Sequence, residues 1–330
     1  MKTLNFCTLF NTAYMSRGLA LQESLLKNCN DFSLYIFAFD DICFQTLNEL
    51  NLKNTIVISL KEFEDNELLR VKPTRTSTEY CWTCTSSTIL YVIENFKVDH
   101  CTYIDADIYF YSNPKVLIEE MGSKSILLTL HRYSDEYAYY SKDAGKYCVQ
   151  FITFKNDKPG LKALRWWREA CIDWCYAKPE DGKFGDQKYL EDWCERFEGV
   201  HVLEHLGGGV APWNATQYTF FDTSGKKFGI ELTTNTQFEV IFFHFHNLRF
   251  INNRWIQYGA YDFSKDLKTI IYNVYVVAIR KIREKLQKNH PQLVNKDRIF
   301  SPEWKVILKY IRQIFNKKFK KLYHNLSYFK

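Results

Sequence analysis

The sequence predicts an α/β fold: a mixed, mostly parallel sheet flanked by helices. Three observations lead there. Apolar runs of strand length alternate with stretches of helical periodicity from the first residues onward, the β-α-β-α-β rhythm of a parallel sheet covered on both faces. The composition, 46% hydrophobic and 25% charged over 330 residues, suits a chain that buries one large core or two smaller ones. With only 13 glycines and 7 prolines, no extended disordered tract is expected.

Leu4 to Leu9 reads as a short buried strand, and Ser16 to Lys27 follows with helical spacing at Leu19, Leu21, Leu25 and Leu26. "SLYIFAFDD" is a second apolar strand closing on Asp40 and Asp41, followed by a polar helix over 42–50 and the strand "TIVISL". The helix "TEYCWTCTSSTILYVIENF" leads directly into the strand "CTYIDADIYFY". Next come "SILLTLH", ending at His131, and "YCVQFITFKND", which holds the polar Gln150 inside an apolar run. A long helix from Gly160 carries Trp166 and Trp167, expected as core and cleft wall rather than as a ligand platform. Gly207 to Gly209 either cradle an anion with backbone N–H groups or permit a sharp turn. "FEVIFFHFHNLRF" is an apolar β run whose His244 and His246 point the same way. Residues 263–330 read as a helical, amphipathic extension, which divides the chain into a domain over 1–262 and a tail over 263–330.

Ten cysteines are too few for a disulfide scaffold, and the close pairs Cys81/Cys84 and Cys171/Cys175 read as small apolar packing residues. The N-terminal stretch lacks an uninterrupted apolar signal core, and no window of 18 apolar residues occurs, so a cytoplasmic protein is expected. Charge is divided unevenly: from Lys265 onward there are 17 Lys and Arg against 4 Asp and Glu, and before it 27 against 34. That split suggests an acidic catalytic body with a basic tail. Over 301–323, Trp304, Ile307, Leu308 and Ile311 form an apolar stripe among lysines. Such a helix either lies on an anionic membrane surface or packs its stripe on the domain. No nucleic-acid-binding module is recognisable, so nucleic acid is not expected as a partner.

The chemistry gathers at "CTYIDADIYFYSNP", where Asp105 and Asp107 follow an apolar strand. Ligands of open α/β sheets bind at the carboxyl ends of strands. D-x-D is a common tripeptide, and a solvated strand end is the plain alternative. A histidine supplied by a later strand, with aromatics and Asn113-Pro114 just beyond, points instead to a divalent cation, Mn²⁺ or Mg²⁺, bridged to substrate phosphates.

This region resembles the D-x-D segment of GT-A glycosyltransferases. "FHFHN" is similar to the metal-histidine segment of their family-8-type retaining members, "VQFITFKND" to the strand lining the donor sugar, and "FGDQKYLEDW" to the D-Q segment beside the reacting centre. Order and spacing agree over residues 3–260, and the run "WWR…C…WC…DGKFGDQKYL" is similar to bacterial enzymes of cell-surface polysaccharide synthesis. The resemblance implies a GT-A, Rossmann-like fold and transfer of a sugar from a nucleotide-diphosphate donor, expected to be UDP-linked, to a glycan or lipid-linked acceptor. It implies Asp105, Asp107 and His244 as metal ligands, with His246 as the alternative because Asn247 replaces the family's glycine. Phe6, Cys7, Thr8, Tyr14, Asp105 and Ala106 are the implied nucleotide contacts, Gln150 faces the donor sugar, and Asp186 and Gln187 stand beside the anomeric carbon. The family's lysine-containing phosphate clamp is absent; Arg249 or Arg254 is the candidate replacement. Stereochemistry stays open: an inverting enzyme needs a general base, for which Asp186 and His131 are candidates. A sugar-phosphate nucleotidyltransferase would need a glycine-rich loop that "CTLFNTAYMSRG" does not supply. A non-catalytic, membrane-peripheral partner protein of the same fold is the remaining alternative.

Overall fold

The computed structural model describes residues 3–252, 255–293, 298–299, 302, 304–309 and 326–328. Its main sheet has seven strands: β1 (Leu4–Phe10), β2 (Phe32–Ala38), β3 (Thr55–Ser59), β4 (His100–Ile104), β6 (Ile126–Leu130), β7 (Tyr147–Lys155) and β8 (Val200–Val202), with the short β5 (Ile108–Phe110) following β4 outside it. The order is β3-β2-β1-β4-β7-β6-β8. Parallel pairing joins β3, β2, β1 and β4, while β7 runs antiparallel to both β4 and β6.

The alternation within β1 explains the layering. Leu4, Phe6 and Phe10 enter the core shared with helix α1 (Met15–Asn28), and Cys7 and Leu9 enter the core under the helix Ser77–Phe96, as a period of two requires. Gly18 lets α1 approach: a Cβ there would stand 2.2 Å from the Phe10 ring. The Ser77–Phe96 helix starts at a reciprocal cap between Thr76 and Glu79 and stops at left-handed Lys97. Its expected role and that of the cysteines agree: Cys84, Cys171 and Cys175 are buried in that core, and all ten thiols are free.

Several expectations need correction. Asp40, at the end of β2, is a helix cap: its carboxylate accepts from the Cys43 N–H (2.7 Å) at the start of helix α2 (Asp41–Leu50) and from the Thr12 N–H (2.8 Å). After the hairpin sheet of β9 (Tyr218–Thr223) and β10 (Lys226–Glu231), "FEVIFFHFHNLRF" is not one run but three strands: β11 (Gln237–Glu239), β12 (Phe242–His244) and β13 (Arg249–Ile251). The chain breaks at Ile241, whose N–H turns to the Gly207 carbonyl and whose carbonyl takes the Tyr111 N–H, and again at left-handed Asn247. Glycine is the residue easiest to place in that conformation, and asparagine is the next.

The tail is not helical throughout. The helix Asn273–Asn289 buries Tyr275, Val276, Ile279, Ile282 and Leu286 in the same core as α1. Beyond it, β15 (Arg298–Ile299) pairs with β13, and β16 (Leu326–Tyr328) pairs with β14 (Trp255–Gln257). These pairings satisfy edge N–H and C=O groups of the β13–β14 hairpin, which a helix could not do. In the helical residues 304–309, Val306 is buried against Ile251 and Trp255, whereas Trp304, Ile307 and Leu308 are exposed. Of the 301–323 stretch, residues 301, 303 and 310–323, Ile311 among them, lie outside the described residues. No helix among the described residues is long and apolar enough to cross a membrane.

Candidate functional site

Two long-range pairings assemble the site. Asp105 follows β4, its N–H bonded to the Gln150 carbonyl of β7, and the turn closes as the Ile108 N–H reaches the Asp105 carbonyl. The chain then enters β5, which pairs antiparallel with β12 so that Ile108 faces His244. The Phe245 N–H completes the join on the Asp107 carbonyl at 2.9 Å. Register alone therefore carries the histidine to the two carboxylates.

His244 Nε2 lies 3.1 Å from an Asp107 oxygen and 3.6 Å from an Asp105 oxygen. One ligand atom from each of the three residues lies within 4.8 Å of the others, with Asp107 and His244 buried and Asp105 partly exposed. On its other side His244 meets Gln150, Nδ1 to Oε1 at 2.8 Å. The Tyr103 hydroxyl donates to Asp105 at 3.1 Å. Two carboxylates and an imidazole form an oxygen-rich donor set suited to a hard divalent cation. With Nδ1–H donated to the Gln150 oxygen, the Nε2 lone pair is the one turned toward the carboxylates. The residues fit a metal.

Without a cation the charges settle among themselves. Burial raises Asp105 to about 6, with the neighbouring Asp107 adding to the rise and His244 opposing it. Burial acts on Asp107 as well, but attraction and hydrogen bonding to His244, helped by His246 and Arg17, bring it down to about 2. His244 is held well above its ordinary value: burial opposes the proton, and the pull of Asp107 overcomes it.

The other residues singled out in the sequence fall in distinct places. His246 stands outside this set, its ring 5.7 Å from that of His244 and bonded to the Asn247 amide, and burial followed by the charge of His244 pushes it down to about 4. Asp186 is buried and raised to about 7, first by burial and then by Asp105. Its carbonyl accepts the Trp167 indole N–H at 2.9 Å, which puts Trp167 in the wall, fully buried. Gln187 is half-buried beside it. Phe6 and Cys7 pack their side chains into opposite cores, so neither offers a side chain to a nucleotide. The Thr8 hydroxyl is buried without a hydrogen-bond partner among the described residues. Ala106 is buried, Tyr14 is exposed, Arg249 is exposed at the start of β13, and Arg254 lies outside the described residues.

The glycine run is a packed turn, not an open anion cradle. Arg132 donates to the carbonyls of Leu206 (3.0 Å), His205 (3.3 Å) and Gly208, and a Cβ at Gly207 would stand 1.8 Å from the Glu239 carbonyl oxygen. His131 is sealed between Tyr133 and Trp213, and burial takes it down to about 3, a poor general base.

Sequence reasoning missed Trp213, Tyr103 and Arg17. Trp213 stands edge-on to His244 (5.3 Å) and His246 (5.5 Å); it follows the glycine run, and only the glycines drew notice. Arg17 carried a signal: a cation in the first turn of a helix, where anions are favoured.

No protein-family model matches the chain. It is 28% identical over 300 residues to the uncharacterized protein YfnD of Bacillus subtilis (strain 168), covering 89% of this chain and 94% of YfnD. Uncharacterized YfnF of the same organism is 28% identical over 297 residues, covering 88% and 96%. The galactosyltransferase LgtC, solved in complex with donor and acceptor sugar analogs, superposes over 84% of this chain and 96% of its own at a TM-score of 0.53 and 12% identity. The glycosyltransferase GlyE of Streptococcus pneumoniae TIGR4 covers 64% of this chain at a TM-score of 0.43 and 16% identity, and the chain spans 47% of GlyE. The sheet order, the acidic pair at the end of β4 and the superposition on LgtC agree: this chain has the fold of the GT-A type glycosyltransferases.

Proposed function

We propose that the chain is a metal-dependent glycosyltransferase that moves a sugar from a UDP-linked donor to a glycan or lipid-linked acceptor in surface polysaccharide synthesis. The observation that carries the reading is the set of Asp105, Asp107 and His244, placed where strand ends of this fold meet ligands. Those three residues would hold Mn²⁺ or Mg²⁺. When bound, the cation supplies Lewis-acid stabilisation of the charge that develops on a departing diphosphate. Gln150 keeps His244 in the tautomer that this needs. Asp186 and Gln187 stand on the sugar side, where a carboxylate or amide oxygen stabilises an oxocarbenium-like centre. The unpartnered Thr8 hydroxyl and Tyr14 serve the nucleotide. Residues 1–262 form the catalytic domain and 263–330 the extension.

Exposed Trp304, Ile307 and Leu308, next to Lys305 and Lys309, support a tail that rests on an anionic membrane at the cytoplasmic side, where lipid-linked acceptors are met.

The test is release of free nucleoside diphosphate from a panel of nucleotide sugars with Mn²⁺. Release from a UDP-sugar, abolished by EDTA and by Asp107→Ala, is expected. No release from any donor, with or without candidate acceptors, contradicts the reading.

A further inference from the structure

We propose that Arg17 grips the diphosphate of the nucleotide donor. The inference rests on the donor reading above and names a contact which that reading leaves unfilled, since the lysine of the resembled enzymes is absent.

Arg17 is buried, 5% exposed, in the first turn of α1. Its Nη2 donates to the Leu248 carbonyl at 2.9 Å. The guanidinium carbon lies 4.6 Å from the centre of the Tyr14 ring and 5.6 Å from that of Phe250. No carboxylate lies within ion-pair distance of it among the described residues, although the Asp107 carboxylate is near enough to feel its charge. A buried cation without a contacting counter-ion is unfavourable. The helix end makes matters worse, because it carries partial positive charge and the first turn of α1 contains no acid. The Leu248 carbonyl and the two rings fix the guanidinium in place, and an incoming anion supplies the contacting negative charge it lacks.

The location fits. Leu248 follows His246 on the segment that supplies the metal histidine, and Tyr14 lies in the loop leaving β1. Arg17 bridges these two segments, its Nη2 on the Leu248 carbonyl and its guanidinium on the face of Tyr14. Arg17 is thereby held at the carbonyl of Leu248, four residues along the chain from His244. The two rings hold the guanidinium in place, so its fork of donors meets a phosphate with little ordering to do.

The experiment is calorimetric titration of the full chain with UDP and with uridine, in Mn²⁺, for the wild type, Arg17→Gln and Arg17→Lys. Loss of one charge-assisted contact predicts UDP binding weaker by roughly 10- to 100-fold in Arg17→Gln. Uridine binding should not change, and Arg17→Lys should recover part of the UDP affinity. Unchanged UDP affinity in Arg17→Gln overturns the proposal. So does an equal loss for UDP and uridine, the result of a purely structural role. A wild type that binds neither molecule instead overturns the donor reading itself.

Discussion

Asp105 and Asp107 are two residues apart and are shifted in opposite directions: burial raises Asp105, whereas at Asp107 attraction to His244, 3.1 Å away against 3.6 Å for Asp105, outweighs burial. Asp186 shows what burial does without such a partner. Its folded-state value near 7 exceeds the unfolded value near 3.8, so the folded protein binds more protons between them. Stability from this group is fully present below about pH 4 and is lost as pH rises through 7, a change of up to about 4 kcal/mol. Asp186→Asn should therefore melt higher than the wild type at pH 8, with the difference shrinking toward pH 4, while losing sugar transfer. A difference independent of pH would contradict the assignment. Gln150→Leu removes the acceptor for His244 Nδ1–H and should weaken Mn²⁺ binding by about 10- to 100-fold, read by electron paramagnetic resonance of free Mn²⁺. An unchanged titration would show that Gln150 does not orient the ring.

At the scale of elements, the site depends on the pairing of β5 with β12 and on the seat of α1. Phe242, fully buried between Phe110 and Phe151, anchors that pairing two residues before His244. Phe242→Ala should cost about 3–5 kcal/mol in urea unfolding, and its Mn²⁺ affinity should fall with it. Gly18→Ala should cost about 1–3 kcal/mol, because the Phe10 ring occupies the space that a methyl group needs. Neither effect was legible in the sequence, since the partners of both residues come from other elements. The strands and long helices were legible, because β1 is a short, mostly apolar run and the helix Met15–Asn28 keeps helical spacing at Leu19, Leu21, Leu25 and Leu26. β15 and β16 were not: strands of two and three residues have no period to read. The break at Ile241 was hidden for a related reason, being imposed by Gly207 and Tyr111 from outside the run.

The whole molecule joins an acidic body to a basic end. Carboxylates at the close of β4 were visible as D-x-D, and resemblance added His244, but the burial of Arg17 could not be seen because Leu248 and Phe250 create it from far along the chain. The tail carries 17 basic against 4 acidic residues from Lys265 onward, so the full chain should sediment with vesicles containing anionic lipid and be released by salt. Retention on neutral vesicles at high salt would contradict an electrostatic docking. The central claim, a cation held by Asp105, Asp107 and His244 to receive a nucleoside diphosphate, is tested most directly by thermal stabilisation. The wild type and Asp107→Ala are melted with UDP, GDP, CMP and dTDP, each with and without Mn²⁺. A UDP-induced rise that requires Mn²⁺ and disappears in Asp107→Ala is predicted, since a ligand of the folded state raises the melting temperature by mass action. No rise with any nucleotide, or a rise indifferent to both Mn²⁺ and Asp107, would contradict it.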